Sequence, residues 1–374
     1  MAQQRHFRRE DYTVGWICAL PVELAASQEM LDEEHGALIT GLHDSNIYTF
    51  GSIGKHNIVI ACLPDGETGT NSAAVVAAQI QLAFPSIRFG LMIGVGGGVP
   101  TTNADIRLGD VVVSSPEQTH NGVVQYDRGK FTPNGFQRKG FLNAPPKVLR
   151  NAVSQLKARY MRDEERFMEY VAKFDRLPTF TRQYAGPDIL FVSDYDHVGG
   201  STCDHCDMTR ISKRPRRAQN ISIVHYGTIA SGNQVMRNAA ERDRVSAELG
   251  GVLCFEMEAA GLMNEFPCLV IRGICDYADS HKNKKWQPYA AGVAAAYAKE
   301  LLSVIPSTQV EETPAVEAVI GRARGSARSP RAPIQSKRFQ ATSAAERRNQ
   351  GPKREAIPVD THSSMDDMFS SWEL

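Results

Sequence analysis

Two periodicities alternate along this chain. Apolar runs such as 12–20 (YTVGWICAL), 57–63 (NIVIACL) and 87–95 (IRFGLMIGV) have the length of buried strands, whereas 22–34 and 72–84 repeat apolar residues every three to four positions, as helices do. Pro21 stands between the first run and the first helix, where its missing N–H costs nothing. Residues 47–50 and 57–63 read as a hairpin around Gly54-Lys55, and Asn71 or Ser72 is suited to cap the helix that follows. A strand is expected at 110–114, a helix of mixed charge over 147–174 and a strand at 188–193. After 194–220 the pattern resumes: strand 221–229, helix 231–248, strand 252–255, helix 258–266, strand 268–274, and an Ala-rich helix over 290–305. Strands alternating with helices make an α/β domain.

The pattern breaks in three places. Residues 1–10 are expected to be a flexible N-terminus. Residues 194–220 are polar and irregular and look like an insertion, with the basic run Lys213-Arg214-Pro215-Arg216-Arg217. Beyond Pro306 the periodicity stops, and 321–354 carries ten Lys or Arg against one acid, Glu346, so 307–374 reads as a disordered basic tail. Such a tail offers a nucleic-acid contact or a nuclear-import address.

Composition narrows the function classes. In 374 residues, 42 Lys and Arg balance 42 Asp and Glu, so no global field draws in nucleic acid or an anionic membrane, and any polyanion must be met locally. The longest apolar stretches are interrupted by acids such as Glu256, Glu258 and Glu265, so no membrane span is expected. Residues 1–11 have no apolar run, so no secretory signal is expected. Of seven cysteines, five (Cys18, Cys62, Cys254, Cys268, Cys275) sit in apolar runs, which suits reduced thiols in an intracellular, cytoplasmic protein.

Three constellations carry candidate chemistry. Gly94-Val95-Gly96-Gly97-Gly98 ends a buried strand, where an open α/β sheet binds its ligand, yet it lacks the spacing of a phosphate-cradling loop. Glu256-Met257-Glu258 follows a strand and precedes small residues. Carboxylates there can accept hydrogen bonds from vicinal hydroxyls, or can simply be paired or cap a helix. Asp276 ends the last apolar strand, where an acid in a dry cleft can keep a proton for a leaving group; alone, it would read as a turn former.

Taken together, over 11–306, these strings resemble the purine and uridine phosphorylase superfamily, in particular its nucleosidase branch. Residues 14–24 (VGWICALPVEL) are similar to the opening strand and turn of methylthioadenosine/S-adenosylhomocysteine nucleosidases, with Glu23 at the position of their water-activating glutamate. Gly94 to Pro100 and LGDVVV at 108–113 resemble the family's glycine turn and next strand; Ser231-Gly232-Asn233 stands where it has Ser-Gly-Asp. ICALPVE, HYGTIASGNQV, CFEMEAAGL and IRGICDYADSHKNKKWQ resemble more closely still the nucleoside-phosphorylase-like domains of fungal NACHT and ankyrin proteins. The resemblance implies one three-layer α/β domain, with a central twisted mixed sheet flanked by helices, in a homo-oligomer. It implies Asp276 and Glu23 as catalytic residues, and Glu256, Met257, Glu258, Gly94, Gly96, Gly97, Ser231 and Asn233 as substrate-binding residues, acting without a cofactor on a small-molecule purine nucleoside or nucleotide.

Phosphorylases of this fold commonly place a phosphate-holding Arg two positions before the first glycine; this chain has Met92 there. Arg88, on the same strand, lies roughly 13 Å away by strand rise. Together with the carboxylate of Glu23, this favours hydrolysis of the N-ribosidic bond; phosphorolysis and a silent nucleoside-binding module are the alternatives. Related immune-type domains resemble enzymes that release adenine from ATP, for which Arg88, Arg210 and Arg214 are the candidate phosphate contacts. His197, Cys203, His205 and Cys206 invite a zinc reading, but a single Cys-x-x-Cys is weak, and no catalytic metal is assigned.

Overall fold

Every residue of the strand Phe89–Gly98 except Val95 is buried, because it is paired on both edges and covered on both faces. It is the axis of a mixed sheet in a computed structural model that describes residues 7–38, 44–101, 103–117, 119–217 and 221–318. Val14–Cys18 and Cys268–Asp276 flank it in parallel, and Cys254–Glu256 adds antiparallel at its far end. Outward on one side lie His56–Cys62, Tyr48–Ile53 and Glu33–Glu34; on the other lie Val111–Ser114 and Val224–Gly227.

The pleat sorts side chains to two faces. Val14, Trp16, Cys18, Leu91 and Ile271 enter one apolar cluster with the helix Gln287–Ser303; Ile17, Met92 and Val270 enter a second with the helix Thr70–Ala83. These are the three layers of an α/β/α fold. Along Thr70–Ala83, the buried Ala73, Val76, Ala77 and Ile80 follow helical spacing, and small residues let the helix lie close to the sheet. Gln287–Ser303 approaches still closer: a Cβ on Gly273 would sit 1.9 Å from the Ala290 carbonyl oxygen.

Several expected elements are shorter. Residues 258–266 form only the turn Ala259–Gly261, wedged so tightly against Thr70 that a Cβ on Gly261 would meet its carbonyl oxygen. The segment 188–193 contributes one bridge, Phe191 to Ile211. The expected helix over 147–174 divides into Lys147–Tyr160 and Phe167–Val171. Ile229–Ser231 is a strand, and its helix begins only at Ala239.

Both expected domain limits move outward. Phe7 stacks on His35 with ring centroids 3.8 Å apart, and Arg9–Asp11 forms a helical turn, so part of 1–10 is packed. Past Pro306 comes the helix Ser307–Glu312. Val310 and Val316 are buried there, and the Val316 N–H donates to the Ile87 carbonyl at 2.9 Å. The basic stretch 321–354 lies outside the described residues. Among the described residues, no helix is long and apolar enough to cross a membrane, and all seven cysteines are free.

Gly273→Ala should cost about 3 kcal/mol or more, since the clash is with the backbone of a buried helix rather than a side chain that can turn away. Urea unfolding should show a lower midpoint at unchanged slope.

Candidate active site

The carboxyl ends of the three parallel central strands open into one cleft of about 120 Å³. Its walls include Glu23, Gly96, Gly97, Glu256, Met257, Glu258 and Asp276, all singled out from the sequence. They also include Arg272, Lys282, Thr68 and the segment 234–236, which were not.

Glu23 reaches the cleft from the first turn of the helix Pro21–Glu29. Its Oε2 accepts from the N–H groups of Ala19 (2.8 Å) and Leu20 (3.0 Å), the bonds of a helix cap, while Oε1 accepts from the Val95 N–H at 2.7 Å. The carboxylate therefore ties the first strand's turn to the glycine strand. Gly94 is required beneath it: a Cβ there would stand 2.4 Å from Glu23 Oε1 and 2.5 Å from the Arg272 guanidinium. The glycine is part of the floor rather than a ligand contact.

Arg272 is the centre of this arrangement, buried in the last strand with 1% of its surface exposed. It forms a tight ion pair with Glu256 and donates to Glu258 Oε2 at 3.2 Å. Glu256 is further held by the N–H groups of Glu258 (3.1 Å) and Ala259 (3.0 Å), so it fixes the turn. Glu258 accepts from the Gly69 N–H at 3.2 Å and is the more available of the two.

One guanidinium thus serves three carboxylates. Burial pushes the Glu23 carboxyl above its ordinary range against the pull of Arg272 and three backbone donors. Glu258 is raised to about 7 by burial and by the charges of Glu256 and Glu23, with Arg272 opposing. The pocket carries an excess of negative charge, which suits polyol hydroxyls and a developing cation and is hostile to an entering anion.

Asp276 closes the other end. Its Oδ1 accepts from the Ala278 N–H at 2.9 Å, and its Oδ2 lies 2.8 Å from the Lys282 ammonium. Gly97 leaves the space this acid occupies. Ala278 bends the chain back at φ 52°, a left-handed conformation that a side chain adopts only when its surroundings impose it. Lys282 is held above the ordinary lysine range by Asp276, against the cost of burial.

Other expected residues have different work. Ser231 Oγ accepts from the Ala260 N–H at 2.9 Å and braces the Glu258 turn; it does not line the cleft. Asn233 Oδ1 accepts from the Thr70 N–H (2.9 Å) and hydroxyl (3.0 Å), so it clamps the start of a helix. Arg88 stands at the opposite, amino end of the glycine strand, among Phe7, Glu10 and Asp11. Arg210 pairs with Asp194 at 2.7 Å, and Arg214 with Asp188 at 2.9 Å and the Tyr277 hydroxyl at 2.9 Å. Arg210 and Arg214 are already committed, and none of the three arginines lines the cleft.

Arg272 carried a signal in the sequence, since a lone charge inside CLVIRGIC must have partners. Lys282, six residues past Asp276, gave none; the bend at Ala278 returns it.

Residues 13–172 match the phosphorylase superfamily. The chain is 50% identical over 305 residues to a nucleotide-binding leucine-rich repeat (NLR)-like protein of Hyaloscypha variabilis, covering 79% of this chain and 30% of that protein. It therefore spans less than a third of that relative's length. It is 26% identical over 306 residues to the 5′-methylthioadenosine/S-adenosylhomocysteine nucleosidase of Mycobacterium tuberculosis, covering 79% of this chain and 97% of the enzyme. It is 23% identical over 297 residues to the Escherichia coli ATP nucleosidase Cap17, covering 76% of this chain and 50% of that protein. The structure of the Helicobacter pylori futalosine hydrolase shares the fold, with a TM-score of 0.52 at 16% identity, over 79% of this chain and 99% of that one.

Arg272→Leu would leave three buried carboxylates without their cation. It should destabilise the fold by about 3 kcal/mol or more near pH 8. The loss should shrink toward about pH 5, as the unpaired carboxyls take up protons, which urea unfolding at the two pH values measures.

Proposed function

We propose that this chain, which belongs to the phosphorylase superfamily, hydrolyses the N-ribosidic bond of a purine nucleoside or nucleotide and releases the free base. The observation that carries the reading is the buried group of Arg272, Glu23, Glu256 and Glu258 in the same cleft as Asp276. Breaking an N-ribosidic bond builds positive charge on the ribose and negative charge on the departing base. The carboxylate excess stabilises the first, and the Asp276–Lys282 pair supplies a proton for the second.

In this mechanism Glu258 accepts hydrogen bonds from ribose hydroxyls and fixes the ring. Glu23 takes the proton of the water that attacks the anomeric carbon, using the lone pairs that its three backbone donors leave free. Asp276 passes a proton to the base nitrogen as the bond breaks. Because Asp276 is paired with an ammonium, the pair rather than a lone protonated acid is the donor, which refines the simplest reading of the sequence.

Hydrolysis is favoured over phosphorolysis because Arg272 is enclosed by carboxylates, and a phosphate dianion would enter a field of its own sign. Arg210 and Arg214 are occupied by Asp194 and Asp188, and Lys282 by Asp276, which leaves Arg237, an electrostatic neighbour of Lys282, as the candidate cation for a 5′ polyphosphate. Adenine nucleotides are included as substrates on the likeness to the ATP nucleosidase. A role as the effector portion of an NLR-like protein rests on the 50% identity to such a protein.

The test is chromatography of products from ATP, AMP, adenosine and inosine, with and without inorganic phosphate. Free base without phosphate is expected; base release that requires phosphate would replace this reading with phosphorolysis, and no release from any substrate would leave a binding module. Glu23→Gln and Asp276→Asn should each lower kcat about 100-fold or more.

The acid side of the kcat/KM profile should fall as pH drops through about 7, where Glu258 takes up a proton, loses its charge and turns one of its acceptor oxygens into a donor. A profile in which Glu258→Gln leaves that limb unchanged would remove Glu258 from the assignment.

A further inference from the structure

Away from the cleft, the irregular segment 194–217 gathers side chains that the proposed reaction does not use. His197 Nδ1 lies 3.1 Å from Cys206 Sγ and 4.0 Å from Cys203 Sγ, and the three atoms fall within 4.8 Å of one another. Around a tetrahedral zinc ion, with Zn–S about 2.3 Å and Zn–N about 2.0 Å, ligand atoms stand about 3.5–3.8 Å apart. The spacing fits. The Cys206 N–H donates to the Cys203 carbonyl at 3.0 Å, folding Cys-x-x-Cys into a turn that brings both sulfurs to the same imidazole. His197 Nε2 lies 3.1 Å from the Gly200 carbonyl oxygen. A proton on Nε2 directed at that carbonyl leaves the Nδ1 lone pair facing the thiols, the outer bond that metal-binding histidines make. The neighbouring His205 is exposed and stands outside the cluster.

A second observation points to the same place from another part of the chain. His281 is buried, with 9% of its surface exposed, and among the described residues neither ring nitrogen has a hydrogen-bond partner. Its ring stacks on Phe191 and stands 5.5 Å from the ring of His197, at 70°. Two imidazoles on one tetrahedral ion have centroids roughly 5 Å apart. The Asp279 carboxylate lies 3.9 Å from His281 Nδ1, beyond hydrogen-bond distance; drawn in as an outer partner it would leave Nε2 as donor to a metal.

We propose that His197, Cys203 and Cys206 form the core of a structural zinc site, with His281, whose nitrogens stand farther off than the other three ligand atoms, drawn in as the fourth ligand when the ion binds. Two thiolates and two neutral imidazoles give a closed, electrically neutral set, and binding would displace the two thiol protons into solvent. The site would fasten the irregular segment to the loop that follows Asp276. That junction is already stitched by the His197 N–H donating to Ser280 Oγ at 3.0 Å and by Ser280 Oγ donating to Asp196 at 3.2 Å. His281 directly precedes Lys282, so the ion would hold the lysine that pairs with Asp276. The site rests on this cluster and not on the proposed reaction, and metal content reports on it whatever the substrate is.

The experiment is elemental analysis of the tag-free full chain, purified under reducing conditions from zinc-replete medium. About one zinc per chain is expected. The double variant Cys203→Ala, Cys206→Ala should lose it, and His205→Ala should keep it. Should the double variant fail to fold, cobalt reconstitution of the unmodified chain is the second measurement. A thiolate-to-cobalt charge-transfer band, with the intense visible bands of a tetrahedral ion, supports the site. Zinc absent from the unmodified chain, zinc retained without the two cysteines, or cobalt spectra without a thiolate band would each overturn it.

Discussion

A single guanidinium, Arg272, decides how this cleft can be built. It lies in the middle of the sheet, out of water, and it draws Glu256 and Glu258 from one turn and acts on Glu23 from another. An arginine is suited to this because its planar fork can address several oxygens at once and does not lose its proton on burial. Three acids around one cation cannot all be neutralised, and burial raises the carboxyls of Glu23 and Glu258, the neighbouring carboxylates adding to the rise at Glu258. That surplus is a structural cost which a ribose, with hydroxyls to donate and a cation in the making, would relieve.

Backbone proximity makes the arrangement possible. The glycine strand has no side chain where Glu23, Arg272 and Asp276 need to stand, so acids from three different strand ends converge within one cleft. The same logic operates below the sheet, where Gly273 lets the Ala-rich helix press on the last strand and fixes the height at which Asp276 emerges. The left-handed turn at Ala278 then folds the chain back so that Lys282 meets the acid it follows. Rigid packing beneath and a strained turn above give the cleft one geometry.

The basic run in the irregular segment has a different meaning in three dimensions from the one its charge suggests. Arg214 joins Asp188 and Tyr277, and Arg217 joins Asp110, which also accepts from the Ile223 N–H and pairs with His225. These contacts pin a segment without regular secondary structure to the outer strands of the sheet. A charge run read along a chain looks like a surface for a polyanion; here Arg214 and Arg217, two of its four cations, are answered from within the fold.

Glu23 is singled out by family resemblance; local pattern by itself determined the alternation of strands and helices, the buried strands on the sheet axis, and the candidate acids Glu258 and Asp276. Its marks are a period of two or of 3.6, a carboxylate directly after an apolar run, a glycine string at a strand end. It could not determine what Ser231, Asn233, Arg88 and Arg214 do, because a hydroxyl, an amide or a guanidinium serves a helix turn or an ion pair as readily as a ligand. Nor could it join Lys282 to Asp276, or His281 to His197. Those pairings depend on how far the chain turns between elements, and that angle is fixed only when long-range packing selects one bend among the many that short polar segments allow.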